Sequence, residues 1–285
     1  MSRRGIFWLA SYPKSGNTWV RCLIASLQHG AAEVDLDELA PALPNAASRV
    51  WLARHLDVDI GELTPTELHL LRGAAYRRCA AQTLSILKVH DHHDPMLFPA
   101  AATLGTVYIV RDPRDVAHSW ADHACLDLDT AIEQLGKSGT TMSASMAEYR
   151  PQALQRYGSW SEHVASWQQA PGPRLLLRYE DLQADPLRET ARLADFLGLP
   201  AEPTQVARAV AACGFETLRD TEQRLGFAER QKGQARFFRQ GRAGAWRSAL
   251  NATQAARVLA DHGPIMAWLG YRDATPLAKR SFGKA

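Results

Sequence analysis

Short apolar runs alternate along the chain with stretches whose apolar residues recur at helical spacing. Ile6 to Tyr12 is a strand-length run with little polar alternation, which predicts a strand buried on both faces. Thr18 to about Leu27 predicts a helix. Leu84–Val89, Thr106–Arg111 and Arg174–Arg178 are three more strand-length runs. Asp112-Pro113 follows the second of them as a helix start, because Asp caps a helix and Pro suits its first position. In the helix it opens, Val116, Ala117, Trp120, Ala121 and Ala124 keep helical spacing. Leu187–Leu197 predicts a further helix.

Strands alternating with helices predict an α/β fold: a parallel sheet flanked by helices on both faces. Residues 31–80 look helical and irregular, broken by Pro41, Pro44, Gly61 and Pro65. Residues 124–158 carry few periodic signals and include Gly136 and Gly139, the pattern of a mobile insertion near a site. No linker divides the 285 residues, so one domain spanning 1–285 is expected, with these two segments inserted into it.

Charge changes this picture only locally. The chain has 33 basic and 30 acidic residues, formally +3, too little for a general nucleic-acid binder. Residues 219–247 hold eight Lys or Arg against three acids, so this stretch is +5 and the rest about −2. Such a basic, Gly-containing loop ("FFRQGRAGAW") fits either a flap over a polyanion or a solvated charged face. Four cysteines, Cys22, Cys79, Cys125 and Cys213, are scattered without a C-x-x-C pair, so neither a zinc site nor a disulfide scaffold is suggested. The apolar stretch after the basic N-terminus is too short for a signal peptide or membrane span. A cytoplasmic protein with reduced thiols is expected.

The stretch "SYPKSGNTWV" raises the question of chemistry. In an open parallel sheet, ligands bind beyond the carboxyl ends of the strands. Lys14 to Thr18 would lie there, between strand and helix. Free N–H groups at the helix start, a Gly that allows close approach and the Lys14 charge together suit an anion. A plain connection with Lys14 in solvent is the alternative. The ATP-type loop G-x-x-x-x-G-K-[ST] is absent. "YIVRDPRDVAHSW" repeats the logic: Arg111 at a strand end and Ser119 two turns into the next helix suit a phosphate monoester. Alternatively Arg111 pairs with Asp112 or Asp115.

These stretches together resemble the cytosolic sulfotransferases, including bacterial members, which use 3′-phosphoadenosine 5′-phosphosulfate (PAPS). "YPKSGNTW", "YIVRDPRDVAHSW", "RYEDLQADP" and "RQGRAGAW" match in the family's order, from residue 6 to about 250. The resemblance implies that Lys14, Ser15, Gly16, Asn17 and Thr18 hold the 5′-phosphosulfate. Trp19 would stack near the adenine with Tyr179 and Phe215. Arg111 and Ser119 would hold the 3′-phosphate, with Arg239 and Gly241 closing over it. His90, two residues after Lys88, stands where the family keeps its general base. Five positions depart from the family: Asn17 for Thr, Gln240 for Lys, Ala245 for Asp, and Cys213-Gly214 for Thr-Ser. The family's C-terminal dimer motif is not visible, so a homodimer stays open.

The implied reaction is in-line transfer of a sulfuryl group to a hydroxyl on a small molecule, natural product or glycan. Lys14 would act at the bridging oxygen and Lys88 at the sulfuryl oxygens. His90, whose ordinary pKa is about 6.5, would take the hydroxyl proton. "HDHHD" (90–94) also admits a metal reading through His90, His92 and His93, although its order and lack of a second cluster do not support one. No metal cofactor is expected. A P-loop-type nucleotide or small-molecule kinase and a non-catalytic nucleotide-binding module are the rival functions. Trp51, His55, Tyr76, Met142 and Tyr149 are candidates to line an acceptor pocket, with core packing as the alternative for each.

Overall fold

Burial along one strand decides the architecture. β1 (Gly5–Ser11) is buried at every position. Ile6, Trp8 and Ala10 enter one apolar core, while Phe7 and Leu9 enter another. A strand with no solvent face lies inside a sheet covered twice. The computed structural model describes residues 3–30, 33–143, 151–230 and 236–271.

After β1 come α1 (Asn17–His29), α2 (Leu39–Ala42), α3 (Arg49–His55), α4 (Pro65–Gln82) and β2 (Leu84–Val89). β3 (Thr103–Val110), α5 (Pro113–Ala124), α6 (Leu128–Gly136), β4 (Thr141–Met142), β5 (Gln155–Arg156) and α7 (Trp160–Gln168) follow. Next are β6 (Arg174–Arg178), α8 (Tyr179–Ala184), α9 (Pro186–Leu197) and α10 (Pro203–Ala212). The last described elements are α11 (Phe215–Leu225), α12 (Trp246–Ala249) and α13 (Ala252–Trp268). The main sheet is parallel, in the order β2-β1-β3-β6. One core holds Trp8 edge-on to Tyr76 of α4 and to Phe98, at 5.1 and 5.0 Å. The other packs Leu23 and Ile24 of α1 and Leu193 of α9 against Phe7, Leu9 and Ile109.

Register brings the strand ends level. Val89 pairs with Ala10, Ser11 with Ile109, and Val110 with Arg178. Lys14, His90, Arg111 and Tyr179 therefore all emerge at one carboxyl edge. β3 ends at Val110, so Arg111 stands just past the strand.

The segment 124–158, whose few periodic signals suggested a mobile insertion, contains regular structure. Residues 128–136 form α6, capped by Asp127 and burying Ala131, Ile132 and Leu135. Only three apolar residues are buried over little more than two turns, too short a pattern to stand out in sequence. The rest of that segment includes the small antiparallel pair of β4 and β5, and Tyr149 lies outside the described residues. Residues 31–80 carry three helices, and α4 opens with a capping box between Thr64 and Glu67. No helix among the described residues is long and apolar enough to cross a membrane.

Candidate active site

The turn after β1 bonds Ser15 N–H back to Tyr12 O and then presents the first amides of α1. The backbone passes through left-handed conformations at Lys14 (φ 67°) and Gly16 (φ 104°). α1 then starts with no side-chain cap, and Val20 N–H is the first to bond back, to Gly16 O. Amides so turned, at the positive end of a helix dipole, form an anion cradle. Gly16 is required twice, since a Cβ there would also lie 2.7 Å from the Tyr179 ring. Ser15 Oγ and Asn17 Oδ1 are buried without a partner. Asn17 uses its amide nitrogen on Leu9 O and Ser11 Oγ, which ties the turn to the strand. Lys14 Nζ lies 4.7 Å from the centre of the Phe237 ring. Burial, with Lys88 and Arg111 adding repulsion, lowers the Lys14 pKa to about 8.

The second cradle forms where β3 meets α5. Arg111 donates to Lys14 O and Arg242 O and lies 4.3 Å over the Tyr179 ring. Both acids that could have paired with it are engaged elsewhere. Asp112 binds Arg114 at 2.7 Å, and Asp115 accepts the backbone N–H groups of Gly244 and Trp246. Trp19 meets Tyr179 edge-on at 5.5 Å, beside the same cavity. Arg239 lines the same cavity and is steadied from α5. Its Nε lies 3.4 Å from Asp122, and its Nη2 donates to His118 Nε2 at 2.9 Å.

The basic segment is fastened as a flap by three side chains that sequence reasoning missed. Glu222 of α11 accepts from the N–H groups of Phe237 and Phe238. Gln183 of α8 donates to Gly241 O and accepts from Ala243 N–H. Asp115 holds the far end. Asp115 thus supplies a carboxylate beside the position where Ala245 replaces the family's Asp. Gly241 is left-handed (φ 56°), and a Cβ on it would collide with the Phe215 ring. Lys232, within this segment, lies outside the described residues.

The end of β2 supplies the groups expected to act on the acceptor side. His90 Nδ1 lies 2.8 Å from Ser11 O, and the carbonyl can only accept, so Nδ1 carries the proton and Nε2 the lone pair. Ser11 Oγ stands 3.3 Å from the same nitrogen. Burial, aided by the Lys88 charge, lowers the His90 pKa to about 3 and keeps the ring neutral. Behind it, Asp91 and Arg72 form a buried pair at 2.6 Å that also binds Leu154 O, Tyr76 Oη and Arg156 N–H. Lys88 Nζ reaches Glu229 at 3.1 Å, and the other Glu229 oxygen holds Arg21 at 2.6 Å. The two cations hold the Glu229 pKa down to about 2 against the effect of its burial. Arg21 and Glu229 were also missed: one reads as a helix residue and the other as a lone acid in a basic run.

Lys14, Arg21, Lys88, His90, Arg111, Asp115, Glu229 and the flap surround one cavity of about 660 Å³. Of the residues expected at the site, Lys14, Gly16, Asn17, Thr18, Trp19, Lys88, His90, Arg111, Ser119, Tyr179, Phe215, Arg239 and Gly241 line it, and Ser15 is buried just behind. Cys213 and Gln240 line it too. Pro44, Asn45 and Ser48 come from one inserted segment, and Met142 and Gln152 from the other. Among the aromatic candidates, Tyr76 is core, bonded to Ala46 O. Trp51 stacks on His55 and packs against that core. Of the proposed acceptor-pocket candidates among the described residues, only Met142 lines the cavity. His93 packs on Phe98 and Trp167. Among the described residues no three His, Cys, Asp or Glu side chains cluster to hold a metal.

Comparison with known proteins bears directly on this geometry. The family model "Sulfotransferase domain" matches residues 5–263. Cytosolic sulfotransferase 17 of Arabidopsis thaliana is 26% identical, over 90% of this chain and 73% of that protein. Sulfotransferase 1B1 of Mus musculus is also 26% identical, over 89% and 80%. Retinol dehydratase in complex with retinol and PAP has the same fold, with a TM-score of 0.61 at 20% identity, covering 98% of this chain and 84% of that one. Mouse sulfotransferase SULT7A1 complexed with PAP gives 0.57 at 19%, covering 93% and 86%. With the family model spanning both anion cradles, His90 and the flap, this chain belongs to the sulfotransferase family.

Proposed function

We propose that the chain moves a sulfuryl group from PAPS to a hydroxyl of an organic acceptor, in line and with His90 as general base. The observation that carries this reading is two separate anion cradles and a neutral, oriented imidazole around one cavity. The residues present fit the donor. Ser15 Oγ and Arg111 Nε are buried donors without partners, which supports a role on phosphate oxygens, whereas the unpartnered Asn17 Oδ1 can only accept and would need a donor instead. When bound, the donor supplies a sulfuryl group already activated by its anhydride link to phosphate. Lys14 and the first amides of α1 hold the 5′ end and favour negative charge there as it develops. Arg111 and Ser119 hold the 3′-phosphate, and the flap through Gly241 covers it. Lys88 faces the sulfuryl oxygens. His90 Nε2 takes the hydroxyl proton, with Nδ1 fixed on Ser11 O so the ring cannot turn away.

The acceptor reading rests on the wall that the inserted segments supply, where Pro44, Asn45, Met142 and Gln152 mix apolar surface with neutral hydrogen-bonding groups. That suits an uncharged, partly apolar hydroxyl compound. Solved relatives hold retinol and androsterone, and Flaveria bidentis supplies a flavonol 3-sulfotransferase. Because the relatives are named cytosolic enzymes, we place the reaction in the cytoplasm. A kinase is disfavoured by the missing G-x-x-x-x-G-K-[ST] loop. The test supplies sulfur-labelled PAPS with a panel of phenols, sterols and flavonols in EDTA. One adenosine 3′,5′-bisphosphate per labelled product is expected. Phosphoryl transfer from ATP with magnesium, and none from PAPS, would overturn the reading.

A further inference from the structure

Glu229 is an unexpected residue to find in an anion-binding cavity. A carboxylate there repels the phosphates the site is built to hold, so donor binding alone would favour its absence. Yet it is held firmly. One oxygen takes Arg21 Nη1 at 2.6 Å and the other takes Lys88 Nζ at 3.1 Å. Arg21 is 1% exposed and belongs to α1, the helix that forms the first cradle. The Lys88 backbone is equally fixed, donating to Pro44 O and accepting from Ala46 N–H. The root of the side chain is thus set by the sheet and its tip by Glu229.

We propose that Glu229 is a positioning residue for the transfer: anchored by Arg21, it holds the Lys88 ammonium at the cavity wall so that its remaining N–H groups address the sulfuryl oxygens. This inference rests on the donor reading above. The charges around Lys88 are Glu229, Arg21, Lys14 and His90 when protonated; only the first favours the ammonium. Burial is the largest influence and lowers the Lys88 pKa, so loss of Glu229 would make a neutral amine easier to reach. Glu229 therefore acts twice, on direction and on charge. At metal sites, loss of a partner that orients a ligand typically costs about 10–100-fold, and a loss toward the lower end of that scale is expected here.

Two variants separate these effects. In Glu229→Gln, competitive acetylation of the unliganded protein across pH should show the Lys88 midpoint falling by about one unit or more. In Glu229→Asp the charge stays but the carboxylate is drawn back, so the midpoint should stay near wild type. In both, calorimetry should show the ratio of dissociation constants for PAPS and its desulfated product shifting about tenfold against PAPS. Affinity for adenosine 3′,5′-bisphosphate itself should hold or tighten, which a merely structural loss would not produce. An unmoved Lys88 midpoint in Glu229→Gln, an unmoved ratio, or parallel loss of both ligands would each overturn the proposal. Wild-type protein that binds neither ligand would instead overturn the donor reading, while the acetylation profile would still decide whether Glu229 governs Lys88.

Discussion

The Asp115 carboxylate accepts the Trp246 backbone N–H at 2.8 Å and that of Gly244 at 2.7 Å, joining α5 to the flap across 131 positions of sequence. Both bonds are charge-assisted, each of a kind that contributes about 1.5–3 kcal/mol. Asp115→Ala should free the end of the flap that carries Gly241. Amide exchange at Gly244 and Trp246 should accelerate, and bisphosphate affinity should fall about tenfold or more. Unchanged exchange at those two amides would show that the flap is held otherwise.

The ligand group proposed for Arg111 is the 3′-phosphate, which adenosine 5′-phosphosulfate lacks, and the contact of Arg111 with the other cradle is a long bond to Lys14 O at 3.4 Å. Arg111→Ala should weaken adenosine 3′,5′-bisphosphate by about 2–4 kcal/mol, the cost of an unpaired charged partner. Adenosine 5′-phosphosulfate should be nearly unaffected. Calorimetry with both ligands checks this, and an equal loss would assign Arg111 to the fold.

Lys14 gives donor binding a pH dependence with a definite sign. Its pKa is lowered to about 8, first by burial and then by Lys88 and Arg111. An anion favours the charged form, so binding above pH 8 should take up a proton. Bisphosphate affinity should fall by up to about tenfold between pH 7 and 9, the limit for one lost protonation. Lys14→Arg, charged throughout, should flatten that limb. A flat wild-type profile would remove the Lys14 assignment.

Two buried histidines and the half-buried His90 make the fold acid-sensitive. Burial lowers the pKa of His90 and His163 to about 3 and of His262 to about 4. The unfolded chain takes up a proton on each near pH 6.5, whereas the folded chain does not until far lower. Stability contributed by neutral burial is therefore complete above pH 6.5 and declines as pH falls below it. Urea unfolding should show a loss of about 1–2 kcal/mol per histidine between pH 7 and 5. The Glu229 contribution, with its pKa near 2, stays intact over that interval and is lost only below the ordinary carboxylate range. A midpoint independent of pH from 7 to 5 would contradict the neutral burial of these rings.

Much of the frame was legible because its causes are local. β1 reads as buried from its apolar run, and α5 starts at Asp112-Pro113 because cap chemistry is written in adjacent residues. What escaped was contact between distant segments. Nothing near Asp115 announces that its partners are Gly244 and Trp246, and Glu229 pairs across 208 positions with Arg21. The contacts of Arg239 with Asp122 and His118 of α5 were equally invisible in the sequence. Tyr76 was a fair pocket candidate by residue type, but the Arg72–Asp91 pair claimed it for the core.

The central claim is that two phosphate sites, and not one, flank the imidazole of His90. Calorimetry of the wild-type protein with adenosine 3′,5′-bisphosphate and with ATP, both in EDTA, tests it without knowledge of the acceptor. The bisphosphate should bind about 10²-fold or more tightly than ATP, the equivalent of nearly 3 kcal/mol from the Arg111 and Ser119 cradle. Equal affinities, or tighter binding of ATP, would contradict the account.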